Sequence, residues 1–426
     1  KGMKIIADFH IHSKYSRATS SKMDLEHIYL YAKRKGINIV GTGDFTHPQW
    51  LKEIQEKLIP AEDGLYRLKP DLLDNLKDLV FDKKDDLRFI ISGEISNIYT
   101  KNGKTRRLHN LILLPSIESA EKINHLLSLQ GNLKSDGRPI LGMDSLELLK
   151  IVYETEKNAM FIPAHIWTPW FSLFGSMSGF DSLEEAFGKY SNYLTGLETG
   201  LSSDPKMNWR LSMLDQYSLV SNSDAHSPDN LGREANIFDI DLSYSQIKKA
   251  LIEKDKNKFL STIEFFPEEG KYHYDGHRLC QVRLSPAERK KINGICPVCH
   301  RPLTVGVLSR VEELADREEG IMPPTAIPFK SLIPLKEIIA DVLNVDPHTK
   351  SVENIYLKLL QQFNNEFNLL LNVPVEEISK LAGEKIALAI SNMREGKVEI
   401  EPGYDGEYGK IKIPLEVKTR EQNSLF

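Results

Sequence analysis

Long hydrophobic runs are absent from this sequence of 426 residues, although 41% of its residues are hydrophobic. No apolar stretch approaches the roughly 18 residues that a membrane-spanning helix needs. The first residues also lack the charged and apolar segments of a secretory signal peptide. Because of these absences we do not expect an integral membrane protein. We expect a cytoplasmic protein with no membrane partner.

The sequence also has a small net charge and few cysteines. The formal net charge of −5 argues against binding of nucleic acid through overall charge. A local basic groove remains compatible with this total, because the field that steers a ligand is local. The three cysteines all fall between Cys280 and Cys299. An odd number in one short stretch is unlike a disulfide framework and is typical of a metal site in a reducing compartment.

The first motif is the segment Asp-Phe-His-Ile-His at 8–12, directly after the apolar run at 5–7. On an extended strand, residues i and i+2 point to the same face. His10 and His12 can therefore reach one metal ion at the end of a strand. A single histidine at such a place is more often structural, so the interpretation depends on whether the rest of the chain supplies partners.

Further apolar runs end, or nearly end, on a histidine or a carboxylate. Helical stretches alternate with these runs, and the functional residues of a parallel barrel come from the carboxyl ends of its strands. The sequence thus predicts an α/β barrel over about 3–265. The residues at the predicted strand ends are His10, His12, Asp44, Glu94, His109, His165, Glu198, Asp224 and His226.

This set of imidazoles and carboxylates predicts two or three divalent metal ions, because it is too large for one ion. Such ligands suit zinc, manganese or iron, and the ions we expect in the barrel are zinc, manganese or magnesium. Ions of this kind hold phosphate oxygens and lower the pKa of a bound water, which favours hydrolysis of a phosphate ester by metal-activated water.

A second metal site is predicted after the barrel. His277-x2-Cys280 and Cys296-x2-Cys299 have the spacing of a structural zinc site with four ligands. His273 and His300 remain alternatives to the histidine ligand. Basic residues flank this module, among them Arg278, and such residues commonly meet phosphates.

The segment 165–179 is rich in aromatic residues, glycine and serine and begins on the predicted ligand His165. Loops after barrel strands read substrates. Trp167 and Trp170 could stack on an extruded base, and Ser176 and Ser178 could bind its edge. The alternative is that the aromatic side chains close the end of the barrel.

These motifs resemble those of the polymerase-and-histidinol-phosphatase (PHP) superfamily over roughly the first 265 residues. The resemblance implies a distorted (β/α)7 PHP-type barrel with a cluster of up to three ions. Glu94 would bridge two of these ions. The implied sets are His10, His12, Glu94 and Asp224 for the first ion, Glu94, His109 and His165 for the second, and Asp44 and His226 for the third.

Two departures from the superfamily pattern affect the third ion. Asp44 is followed by Phe45 where a histidine is usual, and His47 is the candidate replacement. The segment 16–18 holds no histidine or aspartate where many members place one. Glu198 fits either direct ligation or a hydrogen bond to a ligand.

The chain resembles the endonuclease Q family from residue 3 to about 320. The resemblance rests on the order of four features, namely the barrel, the segment 41–48, the Trp-Thr-Pro-Trp loop and the Cys-Pro-Val-Cys module. The resemblance implies an endodeoxyribonuclease of DNA repair that flips the target base. It would nick the phosphodiester 5′ to deaminated bases (uracil, hypoxanthine, xanthine) and abasic sites in double- or single-stranded DNA. Asp224, Glu94 and His226 would carry the catalysis, and Arg106, Arg107 and Arg278 are candidates for contacts with DNA.

The sequence therefore predicts a barrel over 3–265, a zinc-binding module over 266–320 and a C-terminal region over 321–426. The last is mainly helical with a short hairpin, and could clamp the duplex, pack on the barrel or bind a replication or repair protein. Two other functions fit parts of the pattern. One is a PHP-type small-molecule phosphatase, and the other is a zinc-stabilised DNA-binding protein without enzymatic activity.

Overall fold

A computed structural model describes residues 3–84 and 86–415 of the chain. The end of the predicted C-terminal region, 416–426, therefore lies outside the described residues. The strands of the described part are β1 (Met3–Asp8), β2 (Ile39–Gly41), β3 (Leu58–Pro60), β4 (Tyr66–Leu68), β5 (Arg88–Lys101), β6 (Lys104–Leu114), β7 (Ile140–Leu141), β8 (Met160–Pro163), β9 (Leu197–Glu198), β10 (Leu219–Val220), β11 (Ala235–Ile240), β12 (Phe259–Glu264), β13 (Asp275–His277), β14 (Val282–Leu284), β15 (Phe329–Ser331), β16 (Glu399–Glu401) and β17 (Lys410–Lys412).

Helices lie between most of these strands and dominate the C-terminal region. The α-helices are α1 (Leu25–Lys35), α2 (Pro48–Lys57), α3 (Pro70–Leu76), α4 (Ile117–Ser128), α5 (Ser145–Thr155), α6 (Leu183–Phe187), α7 (Pro205–Asn208), α8 (Tyr244–Glu253), α9 (Pro286–Lys291), α10 (Val307–Leu314), α11 (Leu335–Leu343), α12 (Lys350–Phe363), α13 (Glu366–Leu371), α14 (Val375–Ala382) and α15 (Glu384–Arg394). Short 3-10 helices cover Gly188–Tyr193, Ser212–Leu214, Pro228–Asn230, Pro267–Glu269 and Arg278–Cys280. No helix in this described part is both long and apolar enough to span a bilayer.

Seven strands close into a barrel in the order β1, β2, β5, β6, β8, β9, β10. Parallel pairs join β1 to β2, β2 to β5 and β9 to β10. The segment just before β9 joins β8 through a hydrogen bond of 3.0 Å from the Thr195 amide to the Phe161 carbonyl. A parallel bridge between Ile11 and Ala225 returns the chain from the end of β10 to the end of β1. With the helical C-terminal region and the cysteine-bearing module, this confirms the predicted α/β fold class with its distorted seven-stranded barrel.

The distortion is the hairpin of β5 and β6, since β6 runs antiparallel to both β5 and β8. The expectation that the strand before Glu94 ends at that residue is wrong. β5 continues to Lys101 because β6 supplies hydrogen-bonding partners along it from Ile91 to Lys101. Asn102 and Gly103 connect the two strands and both have positive φ, as a two-residue hairpin turn requires.

The first helix shows how local sequence sets the barrel's outer layer. Asp24 accepts a hydrogen bond from the amide of His27 and caps the N-terminus of α1. Gly36 ends the helix at φ +92°, in the left-handed region that favours glycine. Between these caps Leu25, Ile28 and Ala32 are fully buried, as their helical spacing predicts.

The C-terminal helices pack on the barrel as well as on each other. The ammonium of Lys35, at the end of α1, lies 3.0 Å from the carboxylate of Glu366 in α13, and both side chains are buried. Glu366 also accepts hydrogen bonds from the Leu335 amide and the Tyr356 hydroxyl. The carboxylate thus joins α11, α12 and α13 to the outside of the barrel.

The cysteine-bearing module contacts the aromatic loop at 165–179. Arg310 of α10 donates hydrogen bonds to the carbonyls of Phe174 (3.0 Å) and Phe180 (3.2 Å) and forms an ion pair with Asp181. Because Arg310 is buried, this contact fixes the module against one side of the barrel's carboxyl end.

Candidate metal centre and active site

The predicted ligands lie at the carboxyl end of the barrel, where several strands turn sharply. Asp44 (φ 50°), His165 (φ 28°) and Asp224 (φ 48°) follow β2, β8 and β10 and all have left-handed backbone conformations. Such conformations cost roughly 1–3 kcal/mol for a residue with a side chain and concentrate at functional sites. His109 reaches the same end from β6, because that strand runs the opposite way and places His109 opposite Ser96.

The first donor group consists of His10, His12, Glu94 and Asp224, whose ligand atoms all lie within 4.8 Å of one another. His12 Nε2 is 3.0 Å from Asp224 Oδ1, and His10 Nε2 is 3.3 Å from Glu94 Oε2. The buried Nε2 of His10 makes no hydrogen bond. Two imidazoles and two carboxylates around an unpartnered nitrogen fit a divalent transition-metal ion.

The second donor group shares Glu94 with the first and adds His109 and His165. Glu94 Oε1 lies 2.8 Å from His109 Nδ1 and 3.0 Å from His165 Nε2. The two ring nitrogens are only 3.2 Å apart. Because Glu94 presents Oε2 to one group and Oε1 to the other, its carboxylate can bridge two ions.

The carboxylates of this cluster are held in their charged form. Burial would raise the pKa of Asp224, but the charge of His10 and a hydrogen bond from His12 hold it well below its usual range. Burial acts in the same direction on Glu94, where His109 and His10 lower the pKa well below its usual value. Two buried anions therefore face the imidazoles, as cation binding requires.

Two further carboxylates hold the outer nitrogens of His10 and His12. Glu198 accepts a hydrogen bond of 2.9 Å from His10 Nδ1, and Asp44 one of 3.1 Å from His12 Nδ1. Glu198 also accepts from the amide of His165 at 2.8 Å. Such acceptors hold the proton of each ring on Nδ1, so that each Nε2 can give up its proton and offer a lone pair when an ion binds. Glu198 is thus placed behind a ligand rather than among the donors.

The structure does not bring the predicted third set together. Within the described ranges 3–84 and 86–415, Asp44, His47 and His226 belong to no group of three or more donors. Asp44 is occupied by His12 and by the Ser13 amide. His47 stacks on Tyr15 at 4.5 Å, and the ring of His226 lies 4.4 Å from that of His12. The placement of these three residues does not support a third ion.

The aromatic loop divides into a buried and an accessible part. Trp167 is fully buried, and its indole donates to Asn208. Ser178 is also buried and binds the amide of Phe171. Trp170 is 37% exposed, and Ser176 is half-buried. The placements of Trp167 and Ser178 therefore do not support contact with DNA, because both close the end of the barrel, whereas Trp170 and Ser176 stay accessible.

The three predicted DNA-contacting arginines also differ in placement. Arg106 is buried, lies over the ring of Phe180 at 4.1 Å and donates to the Gly179 carbonyl. This placement does not support a phosphate contact, because the guanidinium is held inside the protein. Arg107 is half-buried near Phe171, and Arg278 is exposed in the cysteine-bearing module.

Arg138 is a site residue that the sequence did not indicate. Its Nη1 donates a hydrogen bond of 3.1 Å to Glu94 Oε2 from a loop between α4 and β7. It belongs to no spaced motif, and 55 lysines and arginines in the chain give it no distinction. The feature of the sequence that could have pointed to Arg138 is its position between Gly137 and Pro139, in a turn-forming stretch before a short strand.

The third donor group is the predicted structural zinc set, His277, Cys280, Cys296 and Cys299. Cys299 Sγ lies 3.3 Å from His277 Nδ1. Three thiols and one imidazole fit tetrahedral zinc. Burial would raise the pKa of Cys296, but hydrogen bonds from the amides of Cys299 and Val298 lower it to about 6, toward the thiolate that binds metal.

The alternatives to His277 lie elsewhere. His273 is buried against the ring of Tyr274, with ring centroids 5.5 Å apart, and His300 is exposed. Neither belongs to a donor group among the residues that the structure describes.

Two solved structures are similar to nearly the whole chain. The crystal structure of the lesion-specific endonuclease PfuEndoQ from Pyrococcus furiosus matches with a TM-score of 0.84 and 32% identity, covering 100% of both chains. A crystal structure of endonuclease Q with a 27-mer duplex substrate carrying an abasic lesion at the active site matches with a TM-score of 0.82 and 32% identity. It covers 99% of this chain and 100% of that chain.

Comparison with curated sequences finds two uncharacterized relatives. MJ0043 of Methanocaldococcus jannaschii is 37% identical over 255 residues, which are 58% of this chain and 31% of that protein. YqxK of Bacillus subtilis is 29% identical over 424 residues, covering 96% of this chain and 99% of that protein. The match thus spans about a third of the first relative and nearly all of the second. The family described as the MJ0043 C-terminal domain matches residues 334–397.

Proposed function

Since this chain belongs to the endonuclease Q family, we propose that it is a metal-dependent DNA repair endonuclease that cuts DNA at damaged nucleotides. The observation that carries the proposal is the pair of donor groups that share Glu94 in a chain matching a lesion-specific endonuclease from end to end. The substrate class we infer is duplex DNA with an abasic site, as in the solved complex of the relative.

The finer specificity that we propose includes deaminated bases, namely uracil, hypoxanthine and xanthine, with the cut on their 5′ side. The damaged nucleotide would be flipped out of the duplex, which costs less for a mispaired or missing base. Trp170 and Ser176 are accessible members of the aromatic loop, which begins on His165 of the second donor group. They are our candidates for contact with the extruded nucleotide.

Two divalent ions are the cofactors that we propose for the barrel, one in each donor group, with zinc, manganese and magnesium as the candidates. One zinc ion would be held by the set of His277 and the three cysteines. Ions bound at Glu94 would supply positive charge to the phosphate and a water of lowered pKa.

The protein's own residues have separate tasks in this proposal. Glu94 and Asp224 are anionic at neutral pH and orient the two centres. His226 donates from Nδ1 to the carbonyl of Asp224 (2.9 Å), which leaves its Nε2 as a proton acceptor. Burial, followed by the charge of His12, lowers the pKa of His226, so its ring is neutral at pH 7 and can accept a proton from the attacking water.

A set of matched duplexes tests the proposal. One strand carries an abasic site, a deoxyuridine, a deoxyinosine or no lesion, and each duplex is incubated with metal-loaded protein. We expect one nick directly 5′ to each lesion, with a 3′-hydroxyl and a 5′-phosphate, and no nick in the undamaged duplex. Cutting of the undamaged duplex at a similar rate would contradict lesion recognition.

The same experiment separates the alternative functions. A small-molecule phosphatase would release phosphate steadily from a phosphomonoester such as histidinol phosphate and leave every duplex intact. A DNA-binding protein without activity would retain the duplexes and hydrolyse neither substrate. Metal analysis of that protein would find only the zinc of the cysteine site.

A further inference from the structure

Arg138 is a positively charged residue of the cluster that is not a metal donor, and its position is tightly fixed. Arg138 lies next to Gly137, whose Cα packs so closely on Asp44 that an added Cβ would be 2.3 Å from Asp44 Oδ2. The amide of Gly137 donates to the Tyr15 carbonyl, and the carbonyl of Pro139 accepts from the Ser96 amide, both at 3.0 Å. The chain on either side of Arg138 is therefore fixed to the barrel.

The side chain of Arg138 reaches over the donor groups toward the mouth of the site. Its Nη1 is 3.1 Å from Glu94 Oε2, and its charge also acts on Asp224 and His226. The side chain keeps 28% of its surface exposed, and none of its other N–H groups is hydrogen-bonded to a described residue. A guanidinium carries five donors, so four remain for a ligand that enters from solvent.

The charge balance indicates which ligand that is. Arg138 adds a permanent positive charge to a cluster whose anions, Glu94 and Asp224, already face four imidazoles. Two divalent cations at the donor groups would offset these two anions and the carboxylates of Asp44 and Glu198 behind them, and Arg138 would leave the site with a net positive charge. A bound phosphodiester is an anion and offsets this positive charge. In the transition state of its hydrolysis, further negative charge develops on the non-bridging oxygens. A planar guanidinium can bind two such oxygens through two parallel hydrogen bonds.

We propose that Arg138 is a catalytic residue that binds the non-bridging oxygens of the scissile phosphate and holds the charge that develops on them. The proposal rests on the proposed endonuclease function and adds to it a protein group besides the metal donors. The competing explanation is that Arg138 only neutralises Glu94 and thereby helps the protein to fold or to retain metal.

Three variants separate these roles. Arg138→Gln removes the charge, Arg138→Lys keeps the charge without the planar pair of donors, and Arg17→Gln is the matched control. Arg17 is an arginine of a neighbouring loop whose side chain is 85% exposed and lies 4.0 Å from the carboxylate of Asp136. Each protein is checked for bound metal and for its thermal midpoint before use.

Single-turnover nicking of an abasic-site duplex is the first measurement. Losing one donor that stabilises a developing oxyanion typically costs about 10²–10³-fold in rate. We expect a loss of that size for Arg138→Gln, a smaller loss for Arg138→Lys and no loss for Arg17→Gln. The Kd of each variant for the duplex should stay within a few-fold of the wild-type value. Wild-type rates for Arg138→Gln, or a loss explained by missing metal, would overturn the proposal.

Calorimetric binding of inorganic phosphate to the metal-loaded proteins is the second measurement, and it does not need DNA cutting. We expect Arg138→Gln to weaken phosphate binding at least about tenfold and Arg17→Gln to leave it unchanged. Equal phosphate binding by the wild type and Arg138→Gln would overturn the role of Arg138. If the wild type binds phosphate through Arg138 but does not nick any duplex, the proposed function fails and the phosphate contact stands.

Discussion

At the scale of single residues, Glu94 is the centre of the site. It is buried and lies within ion-pair distance of His10, His12, His109 and His165, and it accepts a hydrogen bond from Arg138. No other residue belongs to both donor groups of the barrel among the described residues. Its removal should therefore affect both metal positions at once.

The substitution Glu94→Gln tests this directly. We expect loss of metal from the barrel and a fall in nicking rate of at least about 100-fold, because one carboxylate serves both ions. Metal analysis and single-turnover nicking of an abasic-site duplex provide the two readouts. Glu118→Gln is the control, since Glu118 is an exposed partner of Lys122 on α4. A Glu94→Gln protein with full metal content and near-wild-type rate would contradict the shared site.

Glu198→Gln should give a different result, because Glu198 binds His10 from behind. The change weakens the hydrogen bond that orients His10, and losses of such acceptors typically weaken metal binding by about 10–100-fold. We expect low activity at limiting metal that excess metal restores. The measurement is a metal titration of the nicking rate. An activity loss that excess metal does not repair would assign Glu198 a direct role in the reaction.

At the scale of secondary-structure elements, the ends of β10 and β12 are joined by a buried carboxyl group below the metal cluster. Glu264 accepts hydrogen bonds from Ser221, Thr262 and Thr199. Burial raises the pKa of Glu264 to about 8. In the unfolded chain the pKa of a glutamate is about 4.3, so the folded protein binds the proton more tightly.

The pH dependence of stability follows from this difference. Between about pH 4.5 and pH 8 the folded state retains the Glu264 proton that the unfolded chain has lost. The contribution of Glu264 to the free energy of unfolding is thus fully present below this pH range. It declines as the pH rises through the range, by at most about 1.4 kcal/mol per pH unit. We expect the thermal midpoint of wild type to fall relative to that of Glu264→Gln between pH 5 and pH 8. Parallel curves for the two proteins would contradict the raised pKa.

Several elements could be predicted from sequence because local rules determine them. The caps at Asp24 and Gly36 mark α1, and the turn at 102–103 marks the β5–β6 hairpin. Residue type and position also indicated the members of the three donor groups, since each is a histidine, cysteine or carboxylate at a predicted strand end or in a paired motif, and the family resemblance supplied their division into sets in the barrel.

Other features depend on tertiary contacts that local sequence does not encode. The continuation of β5 past Glu94 depends on pairing with β6, and the position of Arg138 depends on the packing of Gly137 against Asp44. The burial of Trp167 depends on its partner Asn208, which is 41 residues away. The third metal set was expected from a family resemblance, but Asp44 instead orients His12.

At the scale of the whole molecule, the cysteine-bearing module lies against the same end of the barrel as the metal centre. Arg310 connects its helix α10 to the carbonyls of the aromatic loop. The three predicted segments of the chain, 3–265, 266–320 and 321–426, stay a proposal for its domain boundaries. In that proposal the module helps to position DNA over the site.

The zinc set of the module can be tested independently of the barrel. We expect Cys296→Ser to lose one equivalent of zinc and to weaken binding to abasic-site DNA, while far-ultraviolet circular dichroism shows that the barrel stays folded. Val298→Ala is the matched control, because Val298 lies between two ligands, is 64% exposed and offers no ligand atom. Unchanged zinc content in Cys296→Ser would rule out this ligand set.

The most direct test of the proposed metal-dependent nuclease is nicking of an abasic-site duplex by wild-type protein before and after removal of its metal. We expect no cutting once metal analysis shows that the barrel ions are gone, and recovery of a single nick 5′ to the lesion when a divalent ion is returned. The undamaged duplex should stay intact throughout. Cutting that persists without metal, or a metal-loaded protein that leaves the abasic-site duplex intact, would contradict the proposed function.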